Sequence, residues 1–512
     1  MAERDAHRPR HAWPVWAVLA AAALLRFYHL SSLPPAHYRD VALTASDALR
    51  AASGHPCLHY TYDEGLYANL MGLLFLVLGP SDWTVRAPGA LFGVLTCWAV
   101  YRLGRALGLE REGLFGAGVL AVSFWHLVLS RSGFRAVLLP LVMTLSFALL
   151  AEGLRAGKGR AMTAAGVFFG LGVHVYPAVR FAPLIVPPYL LAELGLDREA
   201  WRARLKGLLL FAGAAFVIAL PMLLDYLHHP EHFTLPRRLV SVFSPLFDRR
   251  LLLPELERNL VATLLMFHVH GDDNWRHNLP GAPMLDPLTG FLFLLGLVFV
   301  CLRPRDRTAS TTLLLAWLLA MLLPNLLSVE GVPHGLRSCG VLPAVALLAG
   351  IGMAEVERLL AARAGVRAAA ATAAAALVLL FSWTAYRYFD VWGTDPHLAE
   401  AHDGAYRAAA RALLEAPPGT ATLLVTNGKG LRSHGQPAEV WCYLFEMREQ
   451  PPVLIGPKDG EKLILAGRPA VIAFVRRDEG ILDAIRTLNP GARVRLLESP
   501  GLSPDSPVYA FN

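Results

Sequence analysis

Apolar stretches long enough to cross a lipid bilayer recur along the first 386 residues, and they limit the fold more than any other feature. A membrane helix needs about 20 mostly apolar residues, within a working range of roughly 17 to 25. Candidates run approximately over residues 13–30, 85–103, 113–130, 135–152, 161–176, 180–193, 207–224, 286–302, 309–329, 337–356 and 367–386, eleven in all. The sixth is short and carries Pro187 and Pro188. These predict a kink and a place beside a cavity, because carbonyls freed in lipid must be satisfied by neighbours or water. Composition agrees with a membrane-embedded chain. Only 17% of the residues are charged and 55% are apolar, against about 25% charged in ordinary soluble domains. The mean hydropathy is +0.43. So few charges could not coat the three soluble domains that 512 residues would otherwise suggest.

The distribution of basic residues predicts an orientation. Arg102, Arg105 and Arg111, then Arg155, Lys158 and Arg160, then Arg198, Arg202, Arg204 and Lys206, then Arg303, Arg305 and Arg307, and finally Arg358, Arg363 and Arg367 occupy alternate loops. With Arg4, Arg8 and Arg10 they fall on one side only if the apolar segment 65–80 does not span. That segment reads as an interfacial helix. The N-terminus is then cytoplasmic, and residues 31–84, 225–285 and 387–512 lie outside, with the location a bacterial-type plasma membrane. The net charge of +7 reports orientation and gives no reason to expect a nucleic-acid partner. Five cysteines without a CxxC pair or zinc spacing give no metal knuckle; Cys57 and Cys442 are both expected outside, where a disulfide could persist.

After residue 386 the pattern changes. Residues 421–426, 469–477 and 492–499 read as short strands, and 399–414 and 481–488 as helices. The expected organisation is a membrane domain over 1–386, with outer loops 31–84 and 225–285, and an extracytoplasmic α/β domain over 387–512. No GxGxxG, GxSxG or phosphate-binding loop occurs in this second domain, which points to acceptor recognition or packing.

Charges near a membrane are costly, so their positions carry information. One outer loop holds Arg39, Asp40, Asp47, His55, His59, Asp63 and Glu64; another ends in MFHVHGDDNWRHNLPG, residues 266–281. Arg131, Arg135, Tyr176, Arg180, His334 and Arg337 lie at span ends on the same side. Nucleotide-activated sugars are cytosolic, whereas a lipid-linked sugar phosphate can be presented outside. Its transfer needs one carboxylate to take an acceptor's proton and cations to hold the departing phosphate. A hydrolase would want two carboxylates at a fixed separation.

The stretch RFYHLSSLPPAHYRD, residues 26–40, resembles the first outer loop of GT-C fold glycosyltransferases related to family 39, which include protein O-mannosyltransferases and lipid A aminoarabinose transferases. TYDEGLYANLMGLLFLVLGPSDWTVRAPGALFGVLT, LSRSGFRAVLLP, GVHVYPAVRFAP, GDDNWRHNLPGAP and VPHGLRSCGVLP are similar to later signatures, in order, over about residues 20–350. Asp40 falls on the first acid of the family's acidic pair, and Val41 stands where the second would be. The resemblance implies a GT-C-like fold and a polyprenyl phosphate-linked sugar donor. It implies Asp40 as catalytic base, with Glu64 and Asp63 in acceptor or metal positioning. It implies Arg131, Arg135 and Arg180, and less directly Arg276 and Arg337, on the donor phosphate. A divalent metal is left open, at Asp40 and Glu64 or at His268, His270 and Asp272.

Plainer roles stand beside these. Asp40 and Asp63 could cap helices, Glu64 could answer a helix dipole, and Arg131 and Arg135 could snorkel to lipid head groups. Trp275 could anchor the interface, and Tyr176 with Pro177 could simply end a helix. The expected activity is inverting transfer of a sugar to a lipid, glycan or protein acceptor. The alternatives are a lipid-linked sugar flippase, and an O-antigen ligase or polymerase-like enzyme that would not need Asp40. No internal repeat of the kind found in inverted-repeat transporters is evident.

Overall fold

The computed structural model describes residues 13–60, 63–302, 308–425, 453–455, 464–465, 468–474, 477–497 and 507–511. In chain order the helices are α1 (Trp13–Phe27), α2 (Arg39–Ala52), α3 (Leu66–Leu78), α4 (Asp82–Ala106), α5 (Glu110–Ala121), α6 (Phe124–Arg131), α7 (Leu138–Ala156), α8 (Gly159–Leu171), α9 (Val186–Leu194) and α10 (Arg198–His228). They continue with α11 (Pro230–Val240), α12 (Leu252–Leu265), α13 (Pro287–Leu302), α14 (Thr308–Leu326), α15 (Leu342–Ala364), α16 (Val366–Ala385), α17 (Pro396–Ala401) and α18 (Gly404–Leu414). The last part of the chain alternates β1 (Ala421–Val425), β2 (Val453–Ile455), β3 (Ala470–Phe474), α19 (Glu479–Leu488), β4 (Val494–Leu497) and β5 (Val508–Phe511).

Each of the eleven predicted apolar stretches contains helix. Among the described residues, five helices are long and apolar enough to cross a membrane, and six if α5 and α6, bent by 60° at their junction, count as one span. Segment 65–80 forms the 13-residue α3, about 20 Å long at 1.5 Å per residue and too short to span. The apolar stretches of these helices differ sharply in burial: 94% buried in the helix over Arg135–Ala156 and 17% in α10. An apolar helix that leaves most of its surface open needs lipid around it, and α10 presents Leu209, Phe216 and Val217 in that way. Pro187 and Pro188 do not kink a helix interior. They open α9, after a 3-10 segment over Pro177–Ile185, in the first turn, where a missing N–H costs nothing.

Two compact units emerge. One comprises Met1–Leu30, Pro56–Leu70 and Arg86–Gly393; the other comprises Ser31–His55, Met71–Val85 and Thr394–Asn512. In the first, α15 packs on α5 and α13 through glycines. A Cβ at Gly296 would lie 1.8 Å from the Leu348 carbonyl oxygen, and one at Gly352 2.0 Å from that of Leu292. Helices without a hydrophobic drive between them gain from such close backbone approach.

The break between α5 and α6 is built by Ser123 and Arg26. The Ser123 hydroxyl accepts from the His126 N–H and caps α6. Arg26, buried at the end of α1, donates to Ala22 O, Ala121 O and Leu120 O and pairs with His126 Nδ1. It thereby satisfies carbonyls that the end of α5 leaves open.

The second unit holds a five-stranded sheet in the order β2-β1-β3-β5-β4. The β2–β1–β3 part is parallel and the β3–β5–β4 part antiparallel. Leu423, Val425, Ile472, Phe474 and Phe511 form one core with Leu482 and Ile485 of α19; Leu424, Val471, Ala473 and Val508 form another with Ala409, Ala410 and Leu413 of α18. The alternation of period two sends successive side chains to opposite faces. The same unit contains α2 and the start of α4. Asp82 accepts from Arg407, and His37 Nε2 lies 2.8 Å from its other oxygen. Cys442 lies outside the described residues.

Candidate functional site

In the helical unit the polar side chains gather around Glu64. The turn that presents it depends on Gly65, where a Cβ would sit 2.1 Å from the Cys57 carbonyl oxygen. Gly65 N donates to Leu58 O at 2.7 Å, and Asn69 holds the turn through Cys57 O and the Tyr60 hydroxyl. Glu64 is thereby tucked in at 4% exposure. Arg135 lies 2.7 Å from Asp63 Oδ1, and its Nε 3.3 Å from Glu64 Oε2. Its guanidinium sits over the Tyr176 ring at 5.4 Å. Asp63 and Glu64 are therefore ion-paired to one arginine, a contact that neither the cap and dipole readings nor the positioning role expected from the sequence included.

Three further residues join this set. The His59 and His232 rings stack with centroids 3.9 Å apart, and His232 Nδ1 is 2.8 Å from Asp225 Oδ2. Among the described residues, the buried His59 Nδ1 meets no hydrogen-bond partner at strict geometry. Burial, and then the charge of His232, holds His59 below the ordinary imidazole range, while Glu64 and Asp225 pull the other way. Arg180 donates from Nη1 to Phe233 O at 2.9 Å and lies over the Phe233 and Tyr226 rings, while its buried Nη2 meets no acceptor at strict hydrogen-bonding geometry among the described residues. It is a cation with a donor to offer. Asp225 and His232 escape a sequence reading because they sit at the end of α10 and in α11, remote in the chain from Glu64, and no local spacing joins them to it.

Asp40 belongs to the other unit. It occupies the first turn of α2, and its carboxylate is 41% exposed with Arg39 Nε at 3.2 Å. Tyr38 precedes the helix, so Asp40 is not its cap residue. An exposed carboxylate with one lateral hydrogen bond retains lone pairs for another proton.

The remaining candidates divide. Arg131 does not face an anion site. It is fully buried, donates to Leu25 O and Arg26 O, and lies against the rings of Tyr388 and Phe389. It closes the end of α1, and neither the phosphate role nor snorkelling describes it. Arg276 bonds to Asn274 Oδ1 through N and Nε, and Arg337 to Ser328 Oγ and Glu330 O. The expected set His268, His270 and Asp272 is not assembled. His268 Nε2 pairs with Gly290 O, His270 turns to the exposed Asp273, and Asp272 instead meets His277, its Oδ2 2.8 Å from Nδ1. The i, i+2 spacing of the two histidines sends their rings to different neighbours. Trp275 offers its carbonyl to Trp392 Nε1.

Comparison with known proteins bears on the fold. Residues 66–224 match the dolichyl-phosphate-mannose-protein mannosyltransferase family. The structure is similar to that of ArnT from Cupriavidus metallidurans bound to undecaprenyl phosphate, with TM-score 0.59, 16% identity and 97% of both chains covered. It is also similar to the Archaeoglobus fulgidus oligosaccharyltransferase in complex with Zn and sulfate, with TM-score 0.53 and 13% identity over 96% of this chain and 72% of that one. For the arabinofuranosyltransferase AftD from Mycobacteria the TM-score is 0.52 and the identity 14%, over 97% of this chain and 41% of that one. No curated protein matches by sequence. The chain has the GT-C-like helical fold that these proteins share, and among its described residues five helices are long and apolar enough to cross a membrane.

Proposed function

We propose that this protein is an inverting glycosyltransferase that moves a sugar from a polyprenyl phosphate-linked donor to an extracytoplasmic lipid, glycan or protein. The observation that carries this reading is the extent of the fold match, 97% of each chain, to a protein solved with undecaprenyl phosphate. The match of residues 66–224 to a family described by dolichyl-phosphate-mannose chemistry supports it independently. The placement of Arg and Lys supports a cytoplasmic N-terminus in a bacterial plasma membrane.

In this mechanism Asp40 takes the proton of the acceptor hydroxyl as that oxygen attacks the anomeric carbon from the face opposite the phosphate. The anomeric C–O bond breaks, its electron pair stays on the phosphate oxygen, and polyprenyl phosphate leaves. Departure of an already acidic phosphate needs cations more than protons. Arg180, against Phe233 and Tyr226, and Arg135, against Asp63 and Glu64, supply positive charge in the helical unit. Arg276 and Arg337 are secondary candidates for the same work. Glu64 and Asp63 hold Arg135 and position the acceptor or a divalent ion.

The test is Asp40→Asn in the purified full-length protein supplied with lipid-linked sugar. Loss of a general base lowers transfer by about 10²–10⁴-fold, with expression and insertion retained. Full activity would remove Asp40 from the mechanism. Mass spectrometry of envelope lipids, glycans and proteins, with wild type against Asp40→Asn, identifies the sugar and its acceptor by one missing mass increment.

A further inference from the structure

We propose that Asp272, His277 and His334 form a binding site for one divalent transition-metal ion of the zinc class. Among the described residues they are the one group of three or more His, Cys, Asp or Glu side chains whose ligand atoms all lie within 4.8 Å of one another. Two imidazoles and one carboxylate suit zinc and its neighbours, whereas magnesium and calcium prefer oxygen alone. Three protein ligands leave a fourth position for water or another oxygen.

The arrangement is built from two loops fixed independently of any ion. Asp272 Oδ1 accepts from Asn274 N, and Oδ2 from Gly335 N at 2.7 Å, so the carboxylate joins residues 266–286 to 327–341. Asn278 ties the first loop to itself through Asp272 O and Ala282 O. Asn325 accepts from His334 N and donates to Thr263, which sets the second. Gly335 permits the approach, since a Cβ there would press on Met284, Trp125 and His277. The rings of His277 and His334 are 4.6 Å apart at 42°. His277 Nδ1 and Asp272 Oδ2 are already 2.8 Å apart, so an ion entering between them takes the place of the proton they share. His334 is only half-buried, which provides a way in. Arg276 and Arg337 act on both rings, and their charge favours an anionic oxygen in the fourth position.

The experiment uses full-length protein in detergent, stripped with a chelator and titrated with Co²⁺, then Zn²⁺. Wild type is expected to bind one Co²⁺ per chain with visible d–d absorption that stoichiometric Zn²⁺ displaces. His334→Gln and His277→Gln are expected to weaken binding by about 10–100-fold, whereas His270→Gln retains it. Absence of stoichiometric binding by wild type overturns the proposal. So does retention of full affinity by His334→Gln, or loss in His270→Gln instead. If His277→Gln does not fold, the wild-type titration and the half-buried His334 variant still decide.

Discussion

Arg131 and Arg135 stand four residues apart, one at the end of α6 and the other opening the short 3-10 turn that leads into α7. Their surroundings share little. Around Arg131 backbone carbonyls and aromatic faces hold the guanidinium. Arg26 and Arg86 are held in the same manner, by carbonyls of Ala22, Leu120 and Ala121 and of Leu30. Around Arg135 two carboxylates converge. A guanidinium offers five donors in a fixed fork, and it can complete either a helix end or an acidic cluster. The difference teaches that a buried arginine beside a membrane need not bind an anion. What it does is set by whether carbonyls or carboxylates are left open next to it.

The comparison can be broken in three ways. The largest effect is expected for Arg131→Met, which leaves two buried carbonyls without a donor at about 1–3 kcal/mol each. Thermal unfolding in detergent should show a loss of several kcal/mol, and near-wild-type stability would mean that Arg131 does not close α1. Arg135→Gln should do the reverse. Transfer should fall by about 100-fold, the scale of removing one charge-stabilising donor, with a smaller loss of stability than Arg131→Met, since the unpaired carboxylates still cost something. A large stability loss with the remaining fold's activity intact would make Arg135 a structural tie like its neighbour.

The smallest effect concerns pH. His59 sits against His232, with Glu64 and Asp225 in electrostatic reach, and its imidazole is held below the ordinary value near 6.5, chiefly by burial. The unfolded chain then binds the extra proton first. The stabilisation is complete above about pH 6.5 and is lost as pH falls toward the lowered folded value. Stability measured between pH 7 and 5 should slope downward, and His59→Gln should flatten that slope. An unchanged slope would separate His59 from the cluster.

Much of this was legible in the chain because it depends on local periodicity. Each apolar run predicted from the sequence contains helix, since a backbone in lipid must bond to itself, although 113–130 is broken into two helices and 180–193 begins as a 3-10 segment. The strands at 421–425, 470–474 and 494–497 fell inside the predicted segments because alternating side chains match a sheet with both faces covered. Ser123 is the type of residue that caps a helix, yet inside an apolar run its signal was weaker than the hydropathy around it. Glu64 and Arg135 were both singled out, but their ion pair joins positions 71 residues apart. His59, His232 and Asp225 needed the same long-range closure.

By itself the sequence determined the helical, membrane-embedded character of the chain, the change to alternating strands after residue 386, and the residue types available for chemistry. Hydropathy and period are properties of neighbours along the chain, so they survive in one dimension. Only the tertiary structure decided that residues 31–55, with Asp40, cluster with the C-terminal strands, whereas residues 56–70, with Glu64, cluster with the helices. It alone turned Arg131 inward and brought Asp272 to His277 and His334. Those outcomes depend on which carbonyls, carboxylates and rings remain unsatisfied after the helices have packed, and no spacing in the sequence records that.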